Sequence, residues 1–220
     1  MNKKIKLPKF SVVKSFLGEN LKRVAKIITS NPVLIGGLSL GPIVAISQSL
    51  KAGVSLSVAF AIIIIPVLVT FSFLRLKLSK SMRIILCCIL SCIFFIPAFW
   101  FAKTIFPEVN DKVGVFLPLM VVNPIISSRT VVAIKFKDTV QSLLTGIKTA
   151  ICFTAVMCFV SLIREVLGKG TIWDKPISFI TPNISFLLPF TGFIIIGFLA
   201  AGAAALSSYM ERKQNAEVDK

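Results

Sequence analysis

The sequence contains no histidine, one tyrosine, two tryptophans and only nine acidic residues in 220. Without histidine, neither a Ser-His-Asp set nor a Cys-His set can be assembled, so the chain offers no candidate for hydrolytic catalysis. Charge is scarce as well. Asp, Glu, Lys and Arg make up 15% of the chain, against about a quarter in an ordinary soluble domain. The scarcity is concentrated in four windows with no charge at all: Ile27–Leu50, Gly53–Leu74, Ile84–Ala102 and Pro176–Met210. A helix needs about 20 apolar residues to cross the hydrocarbon core. With 55% hydrophobic residues and a mean hydropathy of +0.90, the chain reads as a polytopic, all-α integral membrane protein.

The charge that is present is mostly positive, 25 Lys and Arg giving a net +16. Its distribution excludes nucleic acid as the natural partner. Eight of the basic residues lie in residues 1–31, and others cluster in selected loops, the pattern that membrane topology imposes. The expected partner is membrane lipid with an anionic surface. In the N-terminal arm, Phe10, Val13, Phe16, Leu17, Leu21, Val24 and Ile28 recur at helical spacing, with lysines and Arg23 on other faces. Residues 1–31 read as a basic amphipathic arm on the cytoplasmic surface, or as a basic tail that only sets topology. No cleavable signal peptide is evident, since the first long apolar run begins near residue 32 behind this arm.

Six membrane segments are expected, at 32–49, 53–74, 84–102, 113–128, 142–163 and 184–209. The membrane domain thus covers 32–210, and 211–220 form a tail. The 75–83 loop holds Arg75, Lys77, Lys80 and Arg83, and the 129–138 loop holds Arg129, Lys135 and Lys137. The 103–112 loop balances Lys103 and Lys112 with Glu108 and Asp111. The positive-inside bias then puts the N-terminus, the 75–83 and 129–138 loops and the C-terminus in the cytoplasm. Lys148, near the cytoplasmic end of the fifth segment, reads as snorkelling to the headgroups, the alternative being a buried ion-pathway lysine.

The two halves, about 32–102 and 113–209, resemble each other. "LSLGPIVAIS" at 38–47 aligns with "VVNPIISSR" at 121–129 when Gly41 is set on Pro124. Three segments per half make the repeats inverted. The first segment of each half is short and broken, by Gly41-Pro42 in one and Asn123-Pro124 in the other. Paired breaks of this kind mark a functional centre near the membrane midplane. Gly41, Pro42, Asn123 and Pro124 are therefore the candidate central residues. The bland alternative is two kinked helices, with Asn123 bonding a neighbour.

Five cysteines, Cys87, Cys88, Cys92, Cys152 and Cys158, all lie in apolar spans. They read as small packing residues rather than metal ligands; Cys88 and Cys92, four apart on one helix face, leave a weak alternative. "GKGT" at 168–171 suits a tight turn and is too short for a phosphate loop.

"NPVLIGGLSLGPIVAI" (31–46), "FLPLMVVNPIISSR" (116–129), "LIREVLGKGTIWD" (162–174) and "LLPFTGFIIIGFLAAG" (187–202) occur in this order. Together they resemble the Rnf/Nqr membrane-subunit family, most closely its Rnf E and Nqr D branch. The resemblance implies a subunit of a complex that couples electron transfer to Na⁺ or H⁺ transport. It implies a homologous partner subunit of inverted topology, with flavins and a 2Fe–2S cluster in the assembly. In the family, a cysteine from each broken helix ligates that cluster. Here those two positions are Gly41 and Pro124, neither of which has a donor atom. No metal site, cofactor or catalytic residue is therefore expected in this chain, and flavin and cluster are expected only in partner subunits. Arg164-Glu165 matches the family's Arg-Glu and is a candidate for coupling, for an interfacial salt bridge or for a helix-end contact. A non-redox carrier or substrate-binding transport subunit is the competing function, and a purely structural membrane protein is the third.

Overall fold

A computed structural model of the chain describes residues 31–74, 79–109, 113–133, 139–176 and 182–218. The N-terminal arm read over residues 1–31 lies outside the described residues except for Asn31. Six α-helices build the membrane domain within these ranges: α1 (Leu40–Ile46), α2 (Leu50–Leu74), α3 (Lys80–Ile105), α4 (Pro124–Ala133), α5 (Thr139–Lys169) and α6 (Pro189–Val218). Short 3-10 turns occupy Pro107–Val109, Leu117–Met120 and Ile184–Leu187. A two-stranded antiparallel hairpin, β1 (Thr171–Ile172) and β2 (Lys175–Pro176), follows α5.

Four helices are long and apolar enough to span a membrane: Leu50–Leu74, Ser81–Ile105, Thr139–Lys169 and Pro189–Met210. The first and fourth expected segments are the broken ones. The first is a turn over 32–38 followed by the 7-residue α1. The fourth is a 3-10 turn, Asn123 and the 10-residue α4. The six-segment, all-helical reading thus holds, although several ends move. α3 and α5 outrun the expected 84–102 and 142–163 because lysine and arginine flanks tolerate a helix whose ends stand in the headgroups. The sixth segment starts later than 184, since Pro189 sits where a helix begins and has no N–H to leave unpaired. α6 also runs through the first charged residues of the 211–220 tail.

The core is the antiparallel pair α2 and α5. Phe60 stacks on Phe153 with ring centroids 4.3 Å apart. Gly53 faces Ser161 and Met157 at one end, and Gly146 faces Ile65 and Leu68 towards the other. Their most apolar windows are 56% and 50% buried, against 17% for α3 and 22% for α6. So the second helices of the two halves lie inside and the third helices outside. Exposed Met82, Ile85, Ile89, Ile93, Ile96 and Trp100 form a stripe on α3, as a surface turned to lipid or another apolar helix should. Lys148 is exposed on α5, in keeping with a snorkelling side chain.

Close approach of α2 and α5 depends on small residues, as helix contacts in lipid generally do. A Cβ at Gly146 would already lie 3.3 Å from Ile65 Cα. Gly146→Leu should therefore lower stability by about 1–3 kcal/mol through overpacking. Thermal unfolding in detergent measures it, with Gly197→Leu as the control. A Cβ at Gly197 meets nothing within 4 Å, so that variant should unfold with the parent.

Candidate functional site

The first break is built by local chemistry. Asn31 Oδ1 accepts from Val33 N–H at 2.9 Å, and Asn31 Nδ2 donates to the Cys152 carbonyl of α5 at 3.0 Å. This pins the start of the segment to the core. The chain then turns: Ile35 N–H donates to Asn31 O, and Gly36 N–H to Pro32 O. A Cβ on Gly36 would lie 2.7 Å from Pro32 O, and Gly37 has φ 58°, so the Gly-Gly pair permits the turn. Ser39, also left-handed at φ 67°, precedes α1.

The second break uses the same device. Asn123 Oδ1 accepts from Ile125 N–H at 2.9 Å, capping α4. Pro124, first residue of α4, has no N–H that would need a partner. Asn123 Nδ2 donates to Ser39 Oγ at 2.7 Å and lies 3.5 Å from Met120 Sδ. Both Ser39 and Asn123 are buried. The residues preceding the two short helices are thus joined side chain to side chain, and the helix N-termini meet.

Of the four candidate central residues, Asn123 is the one that faces inward. Gly41 and Pro124 are exposed and Pro42 is half-buried. A Cβ at Gly41 would meet nothing within 4 Å. The two positions that the resemblance assigns to cluster cysteines therefore open outward from the joined caps. Neither carries a donor, so the residues present do not fit a 2Fe–2S cluster at this place. Cys87, Cys88 and Cys92 are on α3, and Cys152 and Cys158 on α5; none of the five lies on either broken segment. Among the described residues, no group of three or more His, Cys, Asp or Glu is placed to hold a metal ion.

Arg164 and Glu165 lie at the other end of α1, both fully buried. They do not pair with each other. Arg164 Nη1 donates to Val44 O at 2.6 Å and to Ser47 Oγ, at the C-terminus of α1. Its Nη2 donates to Leu187 O at 2.6 Å and Leu188 O at 3.2 Å, and its Nε to Phe186 O at 3.2 Å. Glu165 Oε2 accepts from Leu50 N–H, the first residue of α2. Its Oε1 accepts from Thr171 Oγ1 at 3.1 Å and Asp174 N–H at 3.0 Å. The cation thus meets the carbonyl end of α1 and the anion meets the amide end of α2, each matching the helix dipole. Of the sequence alternatives, the helix-end contact is the one these bonds describe.

Two features escape the sequence reasoning. Ser39 stands two residues before Gly41, and no pattern there marks it out. Lys51, which separates two charge-free windows, bridges Glu108 Oε2 and Asp174 Oδ2, each at 2.9 Å. Its lone position between apolar runs is the one available signal.

The fold and the joined breaks define a multi-pass, all-helical membrane protein with a central seam between two short helices. The sequence matches the Rnf-Nqr subunit membrane-protein family over residues 21–200, and the chain belongs to that family. It is 27% identical over 206 residues to the E subunit of the ion-translocating oxidoreductase complex of Shewanella piezotolerans, covering 84% of this chain and 87% of that protein. It is 25% identical, over the same shares, to the protein of that name from Vibrio cholerae. It is also 24% identical over 208 residues to the E subunit of the proton-translocating ferredoxin:NAD(+) oxidoreductase complex of Clostridium ljungdahlii, covering 92% of this chain and 97% of that one.

Proposed function

We propose that this chain is a membrane subunit of an ion-translocating electron-transfer complex and that it ligates no 2Fe–2S cluster itself. The carrying observation is the joined pair of breaks. The caps Ser39 and Asn123 are bonded, while the outward-facing positions beside them are Gly41 and Pro124. The frame is kept and the donors are gone. Its partners are lipid, a homologous subunit of inverted topology and the other subunits of such a complex, which carry the flavins and the cluster. The exposed faces of α3 and α6, and the open surface at Gly41, suit such neighbours. The basic arm and loops support a cytoplasmic location for both termini, and the bacterial relatives support a bacterial cytoplasmic (inner) membrane for the chain.

Purification of a tagged chain from its native membrane tests this reading. Flavin-bearing and cluster-bearing subunits should co-purify. Serine replacement of Cys87, Cys88, Cys92, Cys152 and Cys158, one at a time, should leave iron content and the EPR spectrum unchanged. A stoichiometric 2Fe–2S signal lost in Cys88→Ser or Cys92→Ser would overturn the claim of no ligation. Co-purification with an ATPase, and without redox subunits, would replace the whole reading with that of a non-redox transport subunit.

A further inference from the structure

Charges mark the polar boundary at one end of the molecule. Lys51, Lys103, Glu108, Lys169, Asp174 and Lys175 flank the helix ends on this side. The β1–β2 hairpin is fixed at that level. Lys51 Nζ lies 2.9 Å from Asp174 Oδ2, and Glu165 Oε1 accepts from Asp174 N–H at 3.0 Å. The turn is left-handed at two consecutive residues, Trp173 with φ 55° and Asp174 with φ 61°. Tryptophan rarely adopts that conformation, so the bonds to Asp174 hold the turn. Ile172 and Trp173 are each 41% exposed, and the charged Asp174 and Lys175 beside them are exposed too. The turn leading into α6 packs on the same end of α5, with Leu187 against Gly168. That turn and the start of α6 leave Ile184, Leu188 and Phe190 exposed as well.

Large apolar side chains at a charged boundary suit neither water nor hydrocarbon alone. An indole, with an apolar body and one N–H donor, belongs in the headgroup layer between them, and a lysine beside it reaches phosphate. We propose that the Thr171–Pro176 hairpin is an interfacial anchor, in which Ile172 and Trp173 enter the headgroup layer of the non-cytoplasmic leaflet and Lys175 meets lipid phosphate. Its occupant is phospholipid and not a partner subunit. Apolar and charged residues adjoin within the four residues 172–175, whereas the core of a protein–protein contact is depleted of charge. The side of the membrane follows from the orientation proposed above; the anchor itself requires only that α5 and α6 span. Asp174 is bonded to both Lys51 and Glu165, so the anchor ties the α1–α2 junction to the bilayer surface.

The chain has two tryptophans, Trp100 and Trp173, so Trp100→Phe isolates the signal of the hairpin. The full chain is reconstituted in phosphatidylcholine nanodiscs that carry nitroxide-labelled lipid, with the label either just below the headgroup or near the acyl-chain end. Trp173 fluorescence should be quenched roughly twofold more by the shallow label than by the deep one. Aqueous iodide should quench it several-fold less than it quenches free tryptophan. Trp173→Phe leaves Trp100, exposed on the α3 stripe, as the check that the lipid labels work. Should Trp100→Phe fail to fold, the parent signal minus that of Trp173→Phe supplies the same quantity. Phosphatidylglycerol added to the nanodiscs should strengthen shallow quenching, and Lys175→Glu should abolish that gain. Quenching by iodide and by neither lipid label would overturn the anchor and put the hairpin in water. Quenching by none of the three, with Trp100 still quenched by lipid, would overturn it in favour of a protein cover. Stronger quenching by the deep label would overturn the headgroup placement, and a gain that survives Lys175→Glu would remove the phosphate contact.

Discussion

Arg164→Met should cost about 3–5 kcal/mol of folding stability, the largest loss expected of any single substitution in the chain. The guanidinium satisfies Val44 O, Ser47 Oγ and the carbonyls of residues 186 to 188 together. Methionine matches the volume and bonds to none of them. The Val44 and Ser47 partners are buried, so no water replaces the donors lost there and these acceptors keep their desolvation penalty. Arg164→Lys should recover only part, since an ammonium is a point donor and not a planar fork. Denaturant unfolding in detergent, followed by intrinsic fluorescence, reads all three proteins. A methionine variant that unfolds with the parent would mean that α1 is held by its apolar contacts alone. Glu165→Gln should cost less, about 1–3 kcal/mol. Its amide leaves one oxygen to serve three donors, Leu50 N–H, Thr171 Oγ1 and Asp174 N–H.

Much of this fold was legible from charge alone. The windows 53–74 and 84–102 lie within α2 and α3, because a charge-free run of that length has no stable place except in a membrane. The second break was legible from local rules too. Asparagine before a helix and proline at its first position are common starting signals, and Asn123-Pro124 obeys them. The partners of the breaks were not legible. Ser39 and Asn123 are 84 residues apart, and Arg164 and Val44 are 120 apart. No periodicity encodes such contacts, which depend on how α2 and α5 bring the two halves together. The two Asn-Pro pairs add a further lesson. Asn31 and Asn123 both accept an N–H from two residues on, at 2.9 Å. Yet the repeat alignment sets Gly41, not Pro32, on Pro124. The same local device thus opens both the turn after Asn31 and the helix after Asn123.

The meeting of the two caps yields the second large effect. Asn123→Leu removes the cap on Ile125 N–H and the donor to Ser39, both in a buried place. A lost cap costs about 1 kcal/mol and an unpaired buried hydroxyl adds a similar amount, so about 2–3 kcal/mol is expected. Asn123→Asp keeps the capping oxygen, but it loses the donor and places a charge where none is compensated; it should be no better than leucine. Ser39→Ala alone should cost about 1 kcal/mol. The informative quantity is the double variant. If the Ser39–Asn123 bond carries energy, Ser39→Ala with Asn123→Leu should fall short of the sum of the single effects by about 1 kcal/mol, near the upper range of hydrogen bonds between membrane helices. Unfolding midpoints of the four proteins supply that cycle. Strict additivity would mean that the two short helices merely adjoin, and each break would then be an independent kink. A measured coupling would make the seam a single element shared by both halves, in which a shift of one short helix is felt by the other.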